Sequence, residues 1–173
     1  MSQGDIDRLF FLLETTEREG RHLLGTADRL FREPVNSSWV ARLEGDPETA
    51  ERVDAFGARF ARMQDTIGDK LVPELLRRMA ETPAAALDNL NRMEKLGLLV
   101  SVVDWVEARN LRNRLVHDYM RDAEDFVNAL NRAHELVTLL AETYNKINAS
   151  VRVRFGQNRE DWPPELKIER LAP

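Results

Sequence analysis

After Asp122 the chain places Phe126, Leu130, Ala133, Val137, Leu140, Tyr144 and Ile147 at alternating steps of four and three residues. Steps of that size return to one face of an α-helix, whereas a half-buried strand needs a period of two, so this stretch is expected to be one long helix. Most of the chain follows the same rule. Ile6, Leu9, Phe10, Leu13, Leu24, Ala27, Leu30 and Phe31 recur at helical spacing and stop before Pro34. Val53, Phe56, Phe60, Met63, Ile67 and Leu71 mark a further helix, opened by Asp46 as N-cap, Pro47 in the first turn and an acidic Glu48. Pro73 lacks an N–H and crowds the turn before it, so it should kink or interrupt that helix before it resumes through Leu75, Leu76 and Met79. Thr82-Pro83 is expected to start another helix, running through Leu87, Leu90 and Met93 to a C-cap at Gly97. Ser101-Val102-Val103-Asp104 has the form of a capping box with Asp in place of Glu or Gln, and the helix it opens reaches at least Leu115.

Short connections between consecutive long helices favour antiparallel neighbours. The expected fold is all-α: an up-and-down antiparallel bundle of four to five long helices over residues 1–149, followed by an irregular C-terminal tail or docking arm over residues 150–173. In that tail VRVRF alternates, and an extended conformation would put Arg152 and Arg154 on one side, where they could grip RNA or a protein. A chain of 173 residues can bury a substantial core as one domain. It contains no cysteine, which excludes disulfides and thiolate chemistry and fits a reducing cytosol. MSQGDIDRLFFLLETTEREG lacks the basic start of a signal peptide, and no run of about 18 apolar residues occurs, so a cytoplasmic protein without a membrane span is expected. The net charge of −5 argues against general nucleic-acid affinity, so any RNA contact must be local.

One stretch departs from ordinary bundle chemistry. On a helical wheel Val102, Val103 and Val106 share a face that reads as a core seam, and the same face continues as Arg109, Asn110, Asn113 and His117. Ala108, Leu111 and Leu115 form an apolar strip on the other side, with Arg112 beside it. Buried polar side chains cost about 1–3 kcal/mol each if unpaired, so the polar half of the seam must meet water, a partner or a ligand. Solvent alone would explain it. The composition admits more: guanidinium groups at Arg109, Arg112 and Arg114 for phosphate contacts, an imidazole at His117 able to move protons near neutral pH, and neutral hydrogen-bonding groups at Asn113 and Tyr119. These are the parts of a ribonuclease that works without metal or other cofactor, in which an imidazole transfers protons at the ribose 2′-hydroxyl or the leaving oxygen and an arginine stabilises phosphate charge. Arg112 and His117 stand roughly 140° apart around a straight helix. Both reach one atom only if the helix ends near His117, if Arg112 reaches round, or if a second subunit supplies part of the site.

Arg112-Asn113-Arg114-Leu115-Val116-His117-Asp118-Tyr119 resembles the R-x4-H-x-Y motif of HEPN-fold proteins, and especially the HepT toxins that pair with minimal nucleotidyltransferase (MNT) antitoxins. The resemblance implies an all-α bundle, usually a homodimer with paired motifs lining an interfacial cleft, and a metal-independent endoribonuclease acting on RNA as the toxin of a two-component system. It makes Arg112 and His117 the catalytic pair, Asn113 a supporting polar residue, and Tyr119 the target of AMP addition by the antitoxin. Arg109 just before the motif and Arg114 within it are further RNA-binding candidates. The alternative is a non-catalytic binding subunit of a nucleotidyltransferase, since fold alone proves no activity.

Other residues read more simply. His22 and His134 have no second ligand at convincing spacing, and His134-Glu135 lacks the second histidine of a zinc motif, so no metal site is expected. Asp122, Glu124 and Asp125 fit helix capping better than magnesium binding. Trp39 and Trp105 are expected to be packing residues.

Overall fold

The computed structural model describes residues 3–117, 122–156 and 159–168, with the side chains of 3–5, 116 and 117 outside that description. The apolar stripes read from the sequence become the long helices α1 (Gln3–Leu30), α3 (Pro47–Asp65), α6 (Val102–His117) and α7 (Ala123–Phe155), with shorter helices α2 (Ser37–Arg42), α4 (Val72–Arg78) and α5 (Ala86–Lys95) between them. Among the described residues there is no β-strand.

Side-chain pairings fix how the long helices run. His22 of α1 and Phe31, just past its end, meet Arg59 and Phe56 of α3 in that order, so the two helices are antiparallel. Gly57 and Gln64 of α3 face Leu115 and Trp105 of α6, again antiparallel. Helix α7 packs against both α1 and α6, with His134 stacked on Phe31. The space between is filled by Phe56, Phe60, Met63, Leu13, Leu23, Leu140, Tyr144 and Ile147, each essentially inaccessible to solvent. Burial of an aromatic or long aliphatic side chain contributes about 1.5–3 kcal/mol, so this interior carries most of the favourable term.

The caps form largely as the residue types require. Asp46 Oδ1 accepts from the Thr49 N–H at 3.1 Å, and Asp122 Oδ1 accepts from the Glu124 N–H at 2.8 Å. Ser101 Oγ accepts from the Asp104 N–H at 3.1 Å, while the Val102 N–H is taken by Glu94 of α5 at 2.8 Å. Gly97 ends α5 with φ +71°, the left-handed conformation that favours glycine.

The structure bears out an interruption of the α-helix before Pro73 and corrects the sequence reading at two other places. Residues Thr66–Leu71 widen into a π-helical turn in which the Val72 N–H donates to Ile67 O, and α4 then carries Pro73 in its first turn. A wider turn there accommodates a ring that would otherwise crowd the preceding carbonyls. Thr82-Pro83 does not open α5. That helix begins at Ala86, because the Asn89 side chain folds back to bond both the N–H (2.8 Å) and the C=O (3.0 Å) of Ala84 and holds the preceding segment extended.

The second correction concerns the tail. Helix α7 runs past Ala149 to Phe155, since Val151 extends its buried stripe beyond Ile147. VRVRF is therefore helical, and Arg152 and Arg154 lie on divergent faces rather than on one side. Gly156 ends the helix where the Trp162 ring packs so closely that any Cβ would collide with it. Residues 162–168 then fold back along α7. Tyr144 Oη donates to Pro164 O at 3.0 Å, Asn145 bonds both the N–H (2.8 Å) and the C=O (3.0 Å) of Leu166, and Asn148 Nδ2 donates to Pro163 O at 3.0 Å. Leu166 is thereby buried over Gly20 of α1.

Candidate functional site

Helix α6 is held on two sides. Val102, Trp105, Ala108, Leu111 and Leu115, at steps of three and four, are the buried residues among its described side chains. Trp105 is 2% exposed, and its ring edge would lie 3.6 Å from a Cβ at Gly68, so the π-helical turn approaches closely there. Across α6 and α7, Arg132 bonds Glu107 at 2.7 Å and Glu135 at 2.7 Å, and reaches Asp104 at 3.3 Å. Hydrogen bonding to Arg132 holds the Glu107 carboxyl below the usual carboxylate range.

This packing reverses the seam expected from the sequence. Val102 is buried as expected, but Val103 is 78% exposed and Val106 39%, so the valine face does not continue as the core seam. The wheel offered two apolar stripes, and the one containing the large Trp105 ring and Ala108 is buried because it removes more apolar surface from water and lets α6 approach α3. The polar continuation of the valine face therefore meets solvent. Arg109, Asn110, Asn113 and Arg114 are all exposed, and no desolvation cost arises.

Arg112 sits at the flank of that face and is half-buried, with Nη1 3.2 Å from Asp65 Oδ1 at the end of α3. Arg109 borders a shallow depression with Gln64, Asp65 and Asp69. Sequence reasoning does not single out Asp65; it occupies an ordinary polar position of α3, and the packing of α6 brings it to Arg112. The helical backbone is continuous from Arg112 to His117, which preserves the roughly 140° separation of the two positions. The His117 side chain, Asp118 and Tyr119 lie outside the described residues, so Arg109, Arg112, Asn113 and Arg114 are the motif-region side chains that the structure places.

Trp39, Trp105 and His134 take packing roles. Trp39 and Trp105 are buried. The His134 ring stacks on Phe31 with centroids 3.7 Å apart and planes 3° from parallel, and burial pushes its pKa below the ordinary histidine value, against a smaller opposing effect of Glu135. His22 is exposed on α1.

No family model, curated protein or solved structure matches this chain. What fold and site establish together is the class: an all-helical bundle with no helix among the described residues long and apolar enough to cross a membrane, carrying one solvent-facing helix rich in arginine and asparagine.

Proposed function

We propose that the chain is a HEPN-type, metal-independent endoribonuclease, the toxin of a cytoplasmic two-component system whose partner is an MNT-type nucleotidyltransferase. The observation that carries this reading is the exposure of Arg109, Asn113 and Arg114 on the helix that ends with His117. Guanidinium groups on a solvent-facing helix can meet an RNA backbone without first being released from a core. In the proposed reaction His117 takes the proton from a ribose 2′-hydroxyl, whose oxygen attacks the adjacent phosphorus. The bond to the 5′-oxygen breaks, that oxygen takes up a proton, and a 2′,3′-cyclic phosphate remains. Arg112 stabilises the charge on the non-bridging oxygens. A homodimer pairing two α6 helices would overcome the 140° separation by presenting Arg112 of one subunit to His117 of the other. Tyr119 is the proposed site of AMP addition by the partner.

A second reading rests on the Arg112–Asp65 ion pair. An arginine already matched to a carboxylate is poorly placed to receive a phosphate, which favours a non-catalytic subunit that binds the nucleotidyltransferase through the exposed face of α6. Incubating purified protein with total RNA in EDTA, beside His117→Ala checked by circular dichroism, separates the two. The nuclease reading expects cleavage by wild type and none by the folded variant. Absence of cleavage by wild-type protein whose Tyr119 is unmodified by mass spectrometry overturns it in favour of the binding subunit.

A further inference from the structure

A second polar site lies between α1 and α3. Thr15, Arg18, Glu19 and His22 occupy successive turns of α1, and together with Arg59 and Arg62 of α3 they line a groove of about 240 Å³. The groove gathers cations that lack an ion pair. Several arginines of the chain are matched to carboxylates, as in Arg52–Glu48 at 2.7 Å, Arg92–Glu81 at 2.5 Å, Arg132–Glu107 at 2.7 Å and Arg159–Asp7 at 3.1 Å. Among the described residues Arg18, Arg59 and Arg62 have no carboxylate at ion-pair distance, although the chain carries a net charge of −5. Arg59 is oriented instead by neutral acceptors, the Thr26 hydroxyl and the His22 carbonyl, the latter at 3.4 Å. Those bonds aim the guanidinium without neutralising it.

The carboxyl inside the groove adds to this imbalance. Glu19 Oε2 is buried with no hydrogen-bond partner. Burial pushes the Glu19 pKa up, against the opposing effects of the Thr66 hydroxyl, Arg62 and Lys70, while Asp65 raises it further.

We propose that this groove binds the phosphate group of a small phosphomonoester. Three unpaired guanidinium groups supply forked donors to the phosphate oxygens, and His22, the Thr15 hydroxyl and the Glu19 carboxyl line the same space. The volume leaves room beside the phosphate for a group of about pentose size. This site stands independently of the α6 motif, and neither requires the other.

The test is calorimetric titration of the full chain with ribose 5-phosphate, with ribose as the control ligand. Arg18→Gln and Arg62→Gln alter exposed side chains, and their folding is checked by thermal melting. Ribose 5-phosphate is expected to bind and ribose not, with each variant weakening binding about tenfold or more, while Arg112→Gln and His117→Ala bind as wild type. Four results overturn the proposal: no heat with ribose 5-phosphate at millimolar concentration, equal binding of ribose, unchanged binding in both groove variants, or loss in the α6 variants instead. The last would assign the phosphate to the α6 motif, and RNA cleavage is scored separately, so the two readings fail independently.

Discussion

Asp65→Asn probes whether the Arg112–Asp65 pair restrains or builds the proposed nuclease site. The substitution keeps size and hydrogen-bonding capacity while removing the charge that holds Arg112 at 3.2 Å. Two unit charges at that range would attract by several kcal/mol at an effective dielectric of about 20. The side chains are 28% and 37% exposed, however, so water and ions screen them and hold the net value of the pair to roughly 0.2–1 kcal/mol. Releasing Arg112 to a competing phosphate then strengthens its contact by a factor of about 1.4–5, and removing a nearby negative charge acts in the same direction. The assay is kcat/KM for RNA cleavage at subsaturating substrate, paired with urea unfolding to show that stability moves by no more than about 1 kcal/mol. The gain should shrink as salt rises, because both pair and phosphate contact are screened. A tenfold or larger loss of cleavage in a stably folded Asp65→Asn protein would refute this reasoning. Asp65 would then be a residue that positions Arg112, and the ion pair a part of the working site.

Three further outcomes test the fold. Leu166→Ala removes a buried contact of the returning tail and should cost about 2–4 kcal/mol in chemical denaturation; Gly20→Ala, whose Cβ would stand 2.9 Å from Met63 Cε and collide with Leu166, should destabilise wild type yet lose that penalty in the Leu166→Ala background, where alanine's helix preference of about 1 kcal/mol is free to show, so additivity in the double-mutant cycle would contradict the docking contact. His134 has a folded pKa below its unfolded value of about 6.5, so the unfolded chain binds the proton more readily and stability falls as pH drops below about 6.5 towards the folded pKa; His134→Phe should flatten that part of the stability–pH profile relative to wild type, and parallel profiles would exclude His134 as the source.

Sequence legibility divides along a physical line. The stripe from Phe126 to Ile147 could be read because one period satisfies one buried face, and the Asp46 and Asp122 caps because each answers the unpaired N–H groups of its own helix. Local chemistry was enough for those. It was not enough for α6, where valine and tryptophan stripes compete on one helix and the choice depends on what α3 presents across the interface. Gly57 and Gly68 of α3 and the π-helical turn allow close approach by Leu115 and Trp105, and that approach turns Val103 outward. The same docking brings Asp65 to Arg112, a pairing of residues 47 positions apart that no motif encodes. The α1–α3 groove was hidden for the same reason. His22 has no partner histidine in sequence and reads as an isolated surface residue, whereas antiparallel packing places it beside Arg59 and Arg62. Periodicity therefore identifies which residues a helix can bury, and the facing helix decides which of its polar residues are left free for chemistry. In this chain that second decision leaves Arg109 and Arg114 open to solvent, occupies Arg112, and gathers Arg18, Arg59 and Arg62 unpaired in one groove.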